Sequence, residues 1–192
     1  MNNPGPRKFI AAAVTIFVIF FFILGVYLPL RKSNAYIRAY GERVNSIEQF
    51  NKLFNPVLDA YSPIGRDEIV SAYLGIVLNI LSQKPPLPKE IVRELVGRAG
   101  ERSDYFLKKQ SGFLFSQNVL KIGAIYKIAV TQFGLHEYYE KAAQILELGV
   151  RSSPDRSAFL LNLFELYYFK GDRAGMERVG EMILSRWPEE KS

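Results

Sequence analysis

The sequence contains no cysteine and a single histidine, His136, among 192 residues. The first absence excludes a disulfide framework, a thiol nucleophile and every thiolate-ligated zinc or iron–sulfur centre. The second excludes multi-histidine metal sites. Also missing are a Gly-x-x-x-x-Gly-Lys-Ser/Thr loop, a Gly-x-Gly-x-x-Gly turn after a strand and a His-Glu-x-x-His pair. An enzyme needs a nucleophile or base oriented by a partner, and no pattern supplies both. The sequence therefore predicts no catalytic residue, no metal and no cofactor. His136, beside Glu137 and Glu140, reads as a polar turn residue ahead of a helix with acids in its first turn. Asp67-Glu68 and Glu189-Glu190 read as exposed acid pairs at helix ends, and Asp104-Tyr105 as a helix surface pair.

An even spread of charge is lacking too. Residues 1–50 carry six Lys/Arg against two acids, whereas 51–192 carry nineteen against seventeen. The overall +6 thus belongs mainly to the N-terminal segment and argues poorly for nucleic-acid binding by the remainder. A charge-free run explains the asymmetry. Phe9–Leu30 is 22 residues long, with Arg7 and Lys8 before it and Arg31 and Lys32 after it. At about 1.5 Å per residue it spans a hydrocarbon core of about 30 Å. Tyr27 sits near one end, at headgroup level. A cleaved signal peptide would have a shorter apolar region ending in small residues, but this run ends in Val26-Tyr27-Leu28-Pro29. The expectation is one uncleaved, single-pass anchor in the cell membrane. More Lys/Arg follow the span than precede it, which favours a cytoplasmic C-terminal side. The short N-terminal tail offsets that count, so the side occupied by the rest stays open.

Beyond residue 30 the pattern is helical throughout, with no sustained period-two alternation. Ser46-Ile47-Glu48-Gln49 has the form of a capping box, and Pro56 is expected to interrupt the helix it opens. Ser62-Pro63-Ile64-Gly65 reads as a turn. Ile69, Val70, Tyr73, Ile76, Val77, Ile80 and Leu81 form one apolar helix face. Lys84-Pro85-Pro86-Leu87-Pro88 stops that helix. Further helices are predicted over about 88–109, 113–133, 137–152, 156–170 and 173–187, separated by Gln110-Ser111-Gly112, Gly134, Pro154 and Gly171-Asp172.

The last pairs repeat. Pro154 and Pro188 are 34 residues apart. The segment Tyr138–Leu146 resembles the second helix of a tetratricopeptide repeat, with Ala142 at the small position where two helices cross and Gly149 at another. Gly171–Met176 resembles the turn of the following repeat. Leu160, Leu163, Phe164 and Tyr167 fall where its first helix keeps apolar and aromatic residues. Met176, Ile183 and Gly180 depart from that pattern. The resemblance implies an all-α fold: a transmembrane helix, then tetratricopeptide-like antiparallel helix pairs in an α-solenoid. The divisions are a short tail (1–8), the span (9–30), a juxtamembrane helical segment (31–62) and a helical-repeat domain (63–192) with its clearest repeats at 123–156 and 157–190.

A second resemblance covers most of the chain. A span ending in Pro29-Leu30, a basic helix, the segment Ile47–Phe54, the segment Ser62–Ile69 and then tetratricopeptide pairs resemble, in that order, the C-terminal tail of bacterial O-antigen ligase-like (polymerase-like) polytopic membrane proteins. The multi-span domain and large loop that carry that family's chemistry have no counterpart here, so no catalytic residue transfers. The resemblance implies a detached or stand-alone tail working in cell-envelope polysaccharide assembly.

Three stretches are candidates for binding. Arg31, Lys32, Arg38 and Arg43, interleaved with Tyr36, Ile37 and Tyr40, would lay a helix on an anionic bilayer, each cation contributing about 1 kcal/mol. The plainer alternative is an ordinary charged stop after a span. Residues 98–127 carry Arg98, Arg102, Lys108, Lys109, Lys121 and Lys127 against Glu101 and Asp104, which reads first as a solvated face and second as a surface for lipid phosphates or an acidic partner. In the 34-residue frame, Lys127, Thr131, Leu161, Glu165 and Tyr168 line the concave face of stacked first helices. Tyr168 is the favoured anchor, because Tyr167 takes the packing position. The function expected from these features is a membrane-anchored scaffold that binds a protein partner, such as a polytopic membrane protein. The alternatives are an enzyme with an unrecognised inter-helix site and a homo-oligomerising structural membrane protein.

Overall fold

The computed structural model describes residues 5–42, 47–83 and 87–187. Among them every regular element is helical and no strand occurs: α1 (Pro6–Phe22), a π-helical turn (Ile23–Tyr27), α2 (Leu28–Gly41), α3 (Ile47–Asp59), α4 (Arg66–Leu81), α5 (Lys89–Lys109), α6 (Phe115–Thr131), a 3-10 turn (His136–Tyr138), α7 (Tyr139–Ser152), α8 (Ser157–Lys170) and α9 (Arg173–Arg186). The chain divides into two compact units, Met1–Ile69 and Val70–Ser192. The division falls inside α4, a few residues beyond the boundary expected at 62/63.

In the first unit the apolar run does not stop as a helix at Leu30. It continues to Gly41 as a single 34-residue helical stretch from Lys8, the one described helix long and apolar enough to cross a membrane. Side chains over residues 8–23 are open on all sides, with Phe9, Ile16 and Phe17 each more than 60 % exposed. The irregularity within it has a local cause. Pro29 has no N–H for the Gly25 carbonyl, and its ring crowds that carbonyl. The turn just before it widens so that the Leu28 N–H reaches back five residues to the Ile23 carbonyl.

α2 packs on α3, whose Phe50, Phe54 and Val57 are buried four and three residues apart along one stripe. The Phe50 and Phe54 ring centroids are 4.7 Å apart. Pro56 does not end this helix, contrary to expectation: α3 runs on to Asp59, and the Ala60 N–H still bonds the Pro56 carbonyl at 3.0 Å. Pro56 is exposed, so the Lys52 carbonyl that loses its donor lies on the side where water replaces it. The capping-box residue Ser46 and the Pro85-Pro86 linker lie outside the described residues.

In the second unit the helices pack in sequence: α5 on α6, α6 on α7, α7 on α8 and α8 on α9, with α6 also touching α8. The most extensive pairing is α6 with α7. Ala142 is fully buried there, and a β-carbon at Gly123 of α6 would come 2.7 Å from a Leu146 methyl on α7. Gly123 is therefore a crossing residue, although its sequence neighbourhood suggests only an isolated helix glycine. The tightest approach lies between α7 and α8, where a β-carbon at Gly149 would sit 2.1 Å from the Phe159 ring. Gly171, at φ +77°, closes α8 in the left-handed region, and Asp172 then starts α9 by accepting the Gly175 N–H at 3.0 Å.

These contacts predict opposite outcomes for two alanine substitutions. Gly149→Ala forces backbone or ring displacement and should cost about 1–3 kcal/mol of stability. Gly180→Ala, in the middle of α9 with no atom nearer than 3.9 Å, should stabilise by up to about 1 kcal/mol through helix propensity. Denaturant unfolding of the two variants, followed by circular dichroism, measures both.

Candidate functional site: the face of α6 and α8

Leu161, Glu165 and Tyr168 lie four and three residues apart on α8 and so share one stripe. Lys127 and Thr131 hold the same relation on α6. Contact between the two helices brings the stripes together: the Lys127 ammonium donates to a Glu165 carboxylate oxygen across the seam. The lysine side chain is only 16 % exposed and the glutamate 62 %, so the pair stands at the edge of solvent and orients the face more than it stabilises the fold. The Thr131 hydroxyl donates to the Lys127 carbonyl one turn earlier in its own helix at 3.0 Å. Leu161 is 48 % and Tyr168 70 % exposed, an apolar side chain and an aromatic ring flanking the ion pair.

Three successive aromatic residues on α8 take three directions, as a step of about 100° per residue requires. Tyr167 is buried; its hydroxyl donates to Glu147 Oε1 on α7 at 2.9 Å and accepts from Arg178 on α9 at 3.1 Å. Phe169 stacks on the His136 ring, centroids 6.2 Å apart. Tyr168 is left to solvent. His136 thus serves as an aromatic platform, and Glu137 pairs with Arg93 of α5 at 2.8 Å. The Glu147–Tyr167–Arg178 link joins three helices at residues 20 and 31 positions apart in sequence. No local pattern marks it; the packing of α7 on α8 and of α8 on α9 brings those positions together.

The basic stretch at 98–127 is not one face. Lys121 extends to α4 and donates to the Ser71 carbonyl and hydroxyl at 2.7 and 2.8 Å, and burial holds its pKa below the usual lysine value. Arg98 pairs with Glu94 one turn earlier, Lys108 approaches Asp104 at 4.0 Å, and Lys127 is committed to Glu165. Of the juxtamembrane cations, Arg31 and Arg38 are exposed and share a face seven residues apart. Lys32 does not share that surface: it is 4 % exposed, turned about 100° away, and its ammonium donates to the Ala60 carbonyl at 2.9 Å. Arg43 lies outside the described residues.

Among the described residues no group of three or more His, Asp or Glu is placed to hold a metal ion. A cleft of about 230 Å³ opens between α7 and α9, floored by Leu160, Leu163 and Val179, with Glu147 and Arg178 at its edge already paired at 3.2 Å. No family model, curated protein or solved structure matches this chain.

Tyr73, Tyr126 and Tyr167 all have phenol pKa values pushed up from 10 to about 12, mainly by burial and for Tyr167 also by the hydrogen bond to Glu147. The fold favours their neutral forms. Their contribution to stability is therefore fully present below pH 10 and is lost as pH rises from 10 towards about 12. A phenolate-absorbance titration should show a late-ionising class of tyrosines whose appearance coincides with loss of helicity. Tyr167→Phe should remove one member of that class.

Proposed function

We propose that this chain is a membrane-anchored, non-catalytic scaffold that holds a protein partner at the bilayer. Residues 9–30 cross the membrane once. α6 to α9 form a tetratricopeptide-like solenoid whose first helices present the recognition face. The observation that carries this reading is the stripe formed by Leu161, Glu165 and Tyr168. It keeps a large aromatic ring 70 % exposed beside a preorganised ion pair, while Phe159, Leu160, Leu163, Leu166 and Tyr167 of the same helix are buried. Aromatic anchors ringed by polar contacts carry a large share of interface energy, and a ring held by a well-packed helix loses little freedom on binding. The setting in cell-envelope polysaccharide assembly, with a polytopic membrane protein as partner, rests on the resemblance of residues 29–30, 47–54 and 62–69 to ligase-like tails. The exposed apolar helix supports the anchor, because a soluble domain does not leave such a run in water.

Two measurements test this reading. The intact protein should sediment with membranes and require detergent for release; recovery in the aqueous fraction rejects the anchor. In pull-downs from detergent-solubilised membranes, Tyr168→Ala should weaken capture of the partner by about tenfold or more while leaving the melting temperature nearly unchanged. Normal binding by that variant would reject the α6/α8 face, and unfolding would make Tyr168 a structural residue.

A further inference from the structure

Within the first unit a cavity of about 370 Å³ lies where the anchor helix leaves its apolar run. Pro29, Ile64 and Ile69 supply apolar walls, and Lys32, Tyr36 and Glu68 supply polar ones. Lys32 is buried, with one ammonium hydrogen given to the Ala60 carbonyl at 2.9 Å. A lysine ammonium has three hydrogens, so two more donors remain. Glu68 is exposed in the first turn of α4. The cavity therefore combines a sheltered cation, a phenol, a carboxylate and apolar surface, directly next to a segment that on the reading above crosses the bilayer.

We propose that this cavity holds the headgroup of a phospholipid that carries a primary ammonium. Lys32 and Tyr36 donate to its phosphate, and Glu68 accepts from its ammonium. Pro29, Ile64 and Ile69 cover the glycerol and the first chain methylenes. Charge complementarity selects this class. A headgroup with no cation would engage Lys32 through its phosphate but leave the Glu68 carboxylate facing it without a charge partner. A choline headgroup has no N–H to donate, and quaternary ammonium recognition uses several aromatic faces, whereas Tyr36 is the one aromatic residue lining this cavity. Continuity with the span supplies the ligand: a lipid beside Pro29 already stands with its headgroup at this level. The site makes the anchor selective for lipid as well as hydrophobic.

The proposal rests on residues 9–30 spanning a bilayer, and the experiment separates the two. The full-length protein, purified in detergent and stripped of lipid, is titrated with phosphatidylethanolamine, phosphatidylcholine and phosphatidylglycerol of identical chains, with retention read by native mass spectrometry. The ethanolamine lipid should be retained about tenfold better than either other lipid, as one charge-assisted hydrogen-bonded contact provides. Glu68→Gln should bring ethanolamine and choline lipids within about threefold of each other. Ile64→Trp, at an exposed edge of the cavity, should lower retention of all three. Both variants should keep wild-type helicity, because both side chains are exposed. Equal retention of the three lipids, an undiminished preference in Glu68→Gln, or equally strong binding of chain-free glycerophosphoethanolamine overturns the lipid site. A protein that is membrane-bound yet shows equal retention loses only this site, whereas one recovered in water without detergent loses the span and the site together.

Discussion

Two helices approach only as closely as the side chains between them permit, and at Gly149 the Phe159 ring fills the space a β-carbon would occupy. The arrangement of α7, α8 and α9 depends on that approach. With α8 seated against α7, Tyr167 reaches Glu147, and with α9 seated against α8, Arg178 reaches Tyr167. Gly175 serves the same end, since a β-carbon there would meet the Tyr167 ring at 2.8 Å. Once Tyr167 points inward, helical geometry carries Tyr168 outward and Phe169 sideways onto His136. The exposed ring at the proposed recognition face is thus a consequence of small residues on neighbouring helices.

The first unit is governed by a different constraint, the missing amide hydrogen of Pro29. A regular α-helix through residue 29 would leave the Gly25 carbonyl crowded and unpaired. The wider turn at Ile23–Tyr27 absorbs the conflict and lets the helix run on to Gly41. That continuation carries Lys32 and Tyr36 away from the apolar run on one rigid element, with Lys32 turned towards Ala60. The long apolar helix and the cavity beside it therefore share a backbone, so on the proposed reading lipid bound in the cavity would act on the anchor directly.

Helix existence and most helix ends were legible in the sequence because they depend on local backbone physics. Gly171 and Asp172 stop one helix and start the next through groups no more than a few residues away. Of the two small residues singled out in the sequence, Ala142 is buried and Gly149 meets the Phe159 ring of the next helix. Pro56 was misread because the rule that proline breaks helices holds where the freed carbonyl is buried, and here it faces solvent. The basic stretch at 98–127, read first as a solvated face and second as a binding surface, does not act as one face, because charge counted along a chain ignores the helix period. Lys121, Arg98 and Lys127 are each directed to a different partner.

The sequence by itself determined the apolar run, the all-helical class, the turn positions and the absence of thiolate and multi-histidine chemistry, since each follows from residue type and from neighbours within a few positions. Only the tertiary structure decided which polar groups are spent internally. Lys32 and Lys121 read as surface cations but are held by carbonyls 28 and 50 residues away. Glu147 and Arg178, unremarkable along the chain, meet at one tyrosine. The physical reason is that a buried polar group must find a partner wherever the packing of small and large apolar residues places one, and that location is set by helix–helix contact, not by sequence distance.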